Sequence, residues 1–321
     1  MATVATSVLE FPSAWEDVHA VARRPTRLIL SFDVEQHYQI EAAATLEISP
    51  SLQAHYRGRL ESSTRWLLDL LEERGIKATF FVVGEIVKHS PGIVRAMAQA
   101  GHEVASHGWN HRRIHNFTAK SFRADVRESK DALEQVTGLG ILGYRAPTFS
   151  LVRQTAWAVD VLAESGILYD SSIYPVRHDR YGIPQAPRSP FLARGSVHKL
   201  IEIPPATLRV LFTNIPVGGG GYFRLLPFFL LERALCQVQG ECHPSVAMLY
   251  FHPWEFDPRQ ERLPLTPLNR FRTYVGIFRN QARLISLLAR HHKYSFTRAV
   301  DVARQLVAQS LPTFDLLPPP T

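Results

Sequence analysis

Apolar residues recur along this chain in two alternating rhythms. Arg27-Leu-Ile-Leu-Ser-Phe-Asp-Val34 is a short, β-rich run, which predicts a strand buried on both faces. Residues 59 to 74 place Trp66, Leu67, Leu70 and Leu71 on one side of a helix that Gly75 ends. Lys77–Gly84 predicts the next strand. Ser90-Pro91 opens a helix with a cap and a proline at its first turn, and Gly101 closes it. His102–His107 predicts a third strand, Thr118 to Val136 a polar amphipathic helix, and Ile141 to Ala146 a fourth strand. Thr155 to Glu164 predicts a helix, Ile167 to Asp170 a strand, and Val246 to Phe251 another strand. Arg270 to Arg290 and Arg298 to Val307 predict helices.

Repeated strand–helix units predict a parallel sheet covered by helices, open or closed into a barrel. Residues 173 to 245 break the rhythm with prolines and the run Gly218–Gly221. They read as an elaboration of one domain spanning 26 to 310, between an N-terminal segment (1 to 25) and a frayed tail (311 to 321). The glycine run lacks the strand, Lys and Ser/Thr context of a phosphate loop.

Composition narrows the picture. With 321 residues, 45% hydrophobic and 20% charged, the chain is globular. Cys236 and Cys242 are the two cysteines, too few for a disulfide scaffold, and they read as ordinary thiols. The formal charge is +7, scattered over Arg23–Arg24, Arg112–Arg113 and Arg177 to Arg194. No nucleic-acid motif accompanies it. The excess reads as a basic surface, or as attraction to anionic glycans, lipid diphosphates or a membrane face. No apolar run has the length of a signal peptide or a membrane span. The expected location is therefore cytoplasmic, with peripheral association at the inner membrane face.

Chemistry-bearing residues fall at strand ends. Asp33 and Glu35 end the first strand, His107 the third, Arg145 the fourth, Asp170 the fifth and His252 the strand near residue 250. In parallel α/β folds such ends converge on one rim. His107 and His111 at i, i+4 can meet one metal ion from a helical turn. Spacing alone is weak evidence in a chain of 14 histidines, where His111 and His115 form an overlapping pair. An acidic third ligand strengthens it, since two His and a carboxylate with an open position make a catalytic zinc-type set. Asp33 and Glu35 at i, i+2 share a strand face, so one can ligate while the other stays free as a base. His252 sits among aromatics and reads first as a packed core histidine. Facing Asp170, it becomes an imidazolium poised to donate a proton. Metal, base and acid together describe amide or ester hydrolysis.

Five ordered motifs carry a family resemblance: Ser-Phe-Asp33-Val-Glu35, Ser-His107-Gly-Trp-Asn-His111, Arg145-Ala-Pro-Thr-Phe-Ser150, Asp170-Ser-Ser172 and Phe-His252-Pro-Trp254. Over roughly residues 26 to 295 the chain resembles the polysaccharide deacetylases of carbohydrate esterase family 4, the NodB-homology family. Gly218-Gly-Gly-Gly-Tyr-Phe-Arg-Leu-Leu-Pro227 resembles the C-terminal extension of the branch found in exosortase-A exopolysaccharide loci.

The resemblance implies a distorted (β/α)7-type barrel and removal of acetyl groups from an N-acetylated oligo- or polysaccharide, free or lipid-linked. It implies Asp33 as general base, His252 as general acid, Arg145 as the tether of Asp33 and Asp170 as the partner that orients His252. It also implies the Thr148 amide as oxyanion donor, and His107, His111 and Glu35 as ligands of a divalent metal. Zinc heads the metals, and cobalt, nickel and iron suit the same donors. Tyr38, Trp109, Tyr222 and Trp254 are candidate stacking walls for sugar rings, or packing aromatics. Three positions depart from the family pattern. Val34 stands where a second aspartate is usual, Thr148 where an aromatic is usual, and Pro253 where an aspartate is frequent. Two other readings remain open: hydrolysis of a formamide or cyclic amide on a small molecule, and a non-catalytic glycan-binding or assembly protein.

Overall fold

The computed structural model describes residues 26–290 and 293–317. In chain order the strands are β1 (Thr26–Val34), β2 (Thr79–Val82), β3 (Glu103–Ser106), β4 (Gly143–Tyr144), β5 (Tyr169–Asp170), β6 (Phe191–Arg194), β7 (Lys199–Glu202), β8 (Thr207–Val210), β9 (Thr213–Pro216), β10 (Val246–Phe251), β11 (Tyr294–Thr297) and β12 (Thr313–Asp315). The α-helices are α1 (Pro50–Glu73), α2 (Ile86–His89), α3 (Pro91–Gln99), α4 (Ala119–Thr137), α5 (Trp157–Glu164), α6 (Gly220–Leu225), α7 (Phe228–Glu241), α8 (Pro267–Tyr274), α9 (Asn280–Leu288) and α10 (Ala299–Leu306).

Strand β1 shows how the sequence sets the layers. Side chains alternate across a strand. Leu28, Leu30, Phe32 and Val34 pack outward on the cluster built with α1, α3, α7 and α9. Ile29 points the other way, into the cluster that fills the barrel, and Ser31 and Asp33 share its parity. The same alternation that buries the leucines therefore turns Ser31 and Asp33 inward.

The sheet order is β10-β1-β2-β3-β4-β5-β7-β6-β12. Neighbours run parallel except β6 and β7. Beyond β7 the chain reaches β10, where Pro205 bridges Met248 in parallel and the Ala206 amide donates to Met248 O at 2.9 Å. That single bridge closes β1, β2, β3, β4, β5, β7 and β10 into the distorted barrel the resemblance implies. Helix α10 plugs one end. The buried Glu103 carboxylate accepts from the Val300 amide (2.9 Å), Thr79 Oγ1 (2.8 Å) and Tyr169 Oη (2.8 Å) there.

Three expectations change. Helix α1 starts at Pro50, two turns before the apolar stripe shows, with Ser49 Oγ capping the Leu52 amide at 3.3 Å. The helix expected from Arg270 to Arg290 is broken, because Gly276 takes a left-handed φ of +68° between α8 and α9. The tail expected to fray from 311 instead forms β12, parallel to β6, and Leu316 is fully buried. A β-ladder and a buried leucine outweigh the proline-rich composition that suggested fraying. The N-terminal segment 1 to 25 and residues 318–321 lie outside the described residues.

Candidate active site

The inward parity of β1 delivers Ser31, Asp33 and, one step past the strand, Glu35 to the barrel mouth. Arg145 follows β4 and is fully buried. Its Nη1 donates to Asp33 Oδ1 (2.5 Å) and Ser31 Oγ (3.0 Å). Nε and Nη2 donate to Ser171 O (3.1 Å) and Ser171 Oγ (3.0 Å). The guanidinium also lies 4.0 Å from the centroid of the Phe81 ring. A buried cation with this many partners is held in one position. It engages one oxygen of Asp33, Oδ1.

Glu35, His107 and His111 come together, with one potential ligand atom from each within 4.8 Å of the others. Glu35 Oε2 is in direct contact with His111 Nε2 and 4.0 Å from His107 Nε2. The histidine pair does not ride on a helical turn, as the spacing suggested. A loop carries it, with Gly108 at φ +74° and His111 at φ +59°. Helix α4 pins that loop: Asp125 Oδ2 accepts from the Trp109 amide (3.0 Å) and Ser129 Oγ donates to Gly108 O (3.0 Å). His107 Nδ1 lies 2.8 Å from Arg145 O. A carbonyl only accepts, so Nδ1 carries the proton and Nε2 turns its lone pair toward Glu35. Burial holds the His107 pKa down at about 4, against the pull of Asp33 and Glu35, so the ring is a neutral donor. Burial pushes Glu35 up, but its histidine neighbours, His111 foremost, outweigh this and hold it at about 2. Two imidazoles, one of them oriented by a backbone carbonyl, and an ionised carboxylate fit a divalent metal.

On the other side of Glu35 stands His252, Nε2 3.5 Å from Glu35 Oε1. Its Nδ1 meets Glu255 Oε1 at 3.1 Å. Burial lowers the His252 pKa, but Glu35 and the Glu255 hydrogen bond overcome this and raise it to about 9. Asp170, expected to orient His252, does not reach it. Its carboxylate accepts from Ser172 Oγ (2.6 Å) and the Ser172 amide (3.2 Å) and abuts Glu202. Burial raises Asp170, and burial with the charge of Asp170 raises Glu202 well above the carboxylate range, so the pair shares a proton inside the barrel. Sequence reasoning missed Glu255. Its signal was the i, i+3 spacing from His252 across the turn that Pro253 opens.

Asp33, Glu35, His107, His111, Thr148, Tyr222, His252, Trp254 and Glu255 line one cavity of about 660 Å³. Thr148 holds φ +56°, and no hydrogen bond from its amide is found among the described residues. A strained non-glycine residue with a spare donor at a cavity wall is a place to hold a developing charge. Trp254 stacks on His252, ring centroids 5.2 Å apart. Tyr222 lines the same wall. Trp109 packs elsewhere, under the Lys88 ammonium at 4.7 Å and against Gly84. Tyr38 lines a smaller neighbouring cavity that shares His111.

The polysaccharide deacetylase profile matches residues 42–166, and a Domain of unknown function (DUF3473) matches residues 171–304. Over 112 residues the chain is 30% identical to the peptidoglycan-N-acetylglucosamine deacetylase PgdA of Listeria monocytogenes, covering 32% of this chain and 24% of that protein. Over 102 residues it is 31% identical to a chitooligosaccharide deacetylase of Rhizobium leguminosarum bv. trifolii, covering 32% and 45%. The chain thus spans less than half the length of either relative. Among solved structures, a Mycobacterium smegmatis protein assigned to the polysaccharide deacetylases aligns over 98% of this chain and 99% of its own, with a TM-score of 0.59 and 21% identity. The Puue allantoinase aligns over 88% and 90%, with a TM-score of 0.60 and 19% identity. At these identities the likeness concerns the fold alone. The profile matches thus show a polysaccharide deacetylase domain over residues 42–166 followed by a DUF3473 region over 171–304, in agreement with the ordered motifs and the barrel.

Proposed function

We propose that the protein hydrolyses the acetamido group of an N-acetylated sugar with the help of a divalent metal, releasing acetate and a free amine. One observation carries this reading: a Glu–His–His cluster lies between an arginine-tethered aspartate and a glutamate-held histidine, all lining one cavity. Glu35, His107 and His111 would hold the metal, which would supply Lewis acidity to the carbonyl and to a water. Asp33, fixed by Arg145, takes the proton from the attacking water through its free oxygen. The Thr148 amide faces the oxygen on which charge develops, a contact of the kind worth about 3 kcal/mol. His252, protonated at neutral pH, gives its proton to the leaving nitrogen as the C–N bond breaks. Trp254 and Tyr222 offer flat faces to sugar rings. The finer substrate is an N-acetyl sugar of a bacterial exopolysaccharide or its lipid-linked precursor. The resemblance of Gly218–Pro227 to the exopolysaccharide-locus branch supports it.

Zinc calorimetry beside acetate release from N-acetylated glycans tests this. The wild type is expected to bind one zinc tightly, Glu35→Ala and His111→Ala to lose that site, and all turnover to require metal. Absence of a tight site would sink the metal chemistry. Cleavage of cyclic amides with no acetate from any glycan would replace the substrate class.

A further inference from the structure

The β8–β9 hairpin ends in two residues that the fold leaves uncovered. Leu211 is 85% exposed and Phe212 94%. Leu211 also holds a left-handed φ of +54°. Backbone strain at an apolar residue that packs on nothing does not serve stability. Adjacent large apolar side chains in water mark a contact surface.

This tip is tied to the mouth of the catalytic cavity. Asn214, on β9, donates through Nδ2 to Pro175 O at 2.8 Å, and Arg177, two residues further, lines the mouth. Leu225, Leu268 and Phe271 line the same mouth and are 53%, 59% and 56% exposed. Arg177 in the mouth and Arg209 beside the tip are exposed, and among the described residues neither has a carboxylate partner. The surface thus joins bare apolar side chains to unpaired guanidinium groups, in a chain of formal charge +7. Lone aliphatic and aromatic tips enter the acyl boundary of a bilayer, and arginines pair with headgroup phosphates.

We propose that this face docks on an anionic lipid bilayer, Leu211 and Phe212 entering the acyl boundary while Arg177 and Arg209 meet lipid phosphates. Docking sets the cavity mouth at the membrane surface, where a lipid-linked glycan would present its sugars. The binding itself does not depend on the deacetylase reading and is measured without turnover, so the two can fail separately.

Co-sedimentation of the full chain with phosphatidylcholine vesicles, with and without phosphatidylglycerol, tests the proposal. The wild type is expected to sediment with the anionic vesicles and not with the neutral ones. Leu211→Ser/Phe212→Ser is expected to weaken binding at least tenfold. Each lost arginine should cost roughly fivefold, as expected for a basic residue near an anionic surface. Circular dichroism of each variant controls for folding. As a second readout, Phe212→Trp should gain fluorescence that brominated lipids quench on anionic vesicles only. No binding to anionic vesicles would overturn the proposal. So would binding that survives the tip substitutions, which is charge attraction alone. So would a dimer in sedimentation equilibrium that those substitutions abolish, which assigns the tip to a second copy of the chain.

Discussion

At the scale of single residues, the proposed acid, His252, rests on Glu255. It is 2% exposed and holds His252 Nδ1, while Arg224 Nη2 stands 3.9 Å away as its own counterion. Glu255→Gln keeps the shape but removes the charge that favours imidazolium. Turnover is expected to fall roughly 10- to 100-fold, with zinc affinity unchanged because no proposed ligand is touched. Steady-state kinetics beside zinc calorimetry checks both halves. A second buried acid makes a different prediction. Burial raises the Asp125 pKa to about 6, despite its bond from the Trp109 amide. Its folded pKa exceeds its unfolded one, so the native state binds the extra proton and stability falls as pH rises from about 4 through 6. Asp125→Asn removes that slope. Its melting temperature should gain on the wild type between pH 4.5 and 7.5, by the equivalent of at most about 3 kcal/mol. Much of this site was legible in the sequence. The strand parity of Asp33 and Glu35 follows from alternation, and the position of Arg145 follows from its place at a strand end. Glu255 was legible only as an i, i+3 neighbour of His252, because their meeting depends on a tight turn and on how the far side of Glu255 is covered.

Secondary elements supply that cover. Helix α6 begins at Gly220, against Glu255, and a Cβ there would stand 1.7 Å from Glu255 Oε2. The glycine run that carries no phosphate-loop signature is therefore a seat for a carboxylate. Gly220→Ala is expected to push Glu255 off His252 and to reproduce the turnover loss of Glu255→Gln. Combining the two should cost no more than Glu255→Gln alone, since both act through one contact. A double-mutant cycle on kcat measures this, and multiplicative losses would assign the glycine a separate role. The i, i+4 histidines show the limit of reading elements from spacing. A helical turn and a loop pinned by α4 bring the same two rings together. Periodicity likewise missed the first turns of α1, where Tyr56 packs on Ala43 and Leu263 in a small cluster apart from the main stripe, and the break in the last long helix, where one glycine takes a left-handed conformation.

At the scale of the molecule, the two matched regions meet between residues 166 and 171, yet the barrel does not divide there. Strand β1 pairs with β2 on one edge and with β10 over Arg27–Phe32 on the other. Asp33, Glu35, His107, His111 and Arg145 precede residue 171, whereas His252, Glu255 and Gly220 follow it. The proposed base and proposed ligands thus come from one region and the proposed acid from the other. The outer cluster mixes β1, α1 and α3 with α7, β10 and α9. Cutting the chain at 170 would strip β1 of its partner along β10 and bare Leu28, Leu30, Phe32 and Phe81, each fully buried in the whole chain. A fragment of residues 26–170 is therefore expected to lack a cooperative thermal transition and to bind zinc weakly, even though it holds every proposed ligand. Mixing it with a fragment of residues 171–317 should restore both, because the missing surface is the other fragment's. A cooperative melt of the first fragment alone would show that the barrel folds as two units and that the ladder between β1 and β10 is only a docking seam.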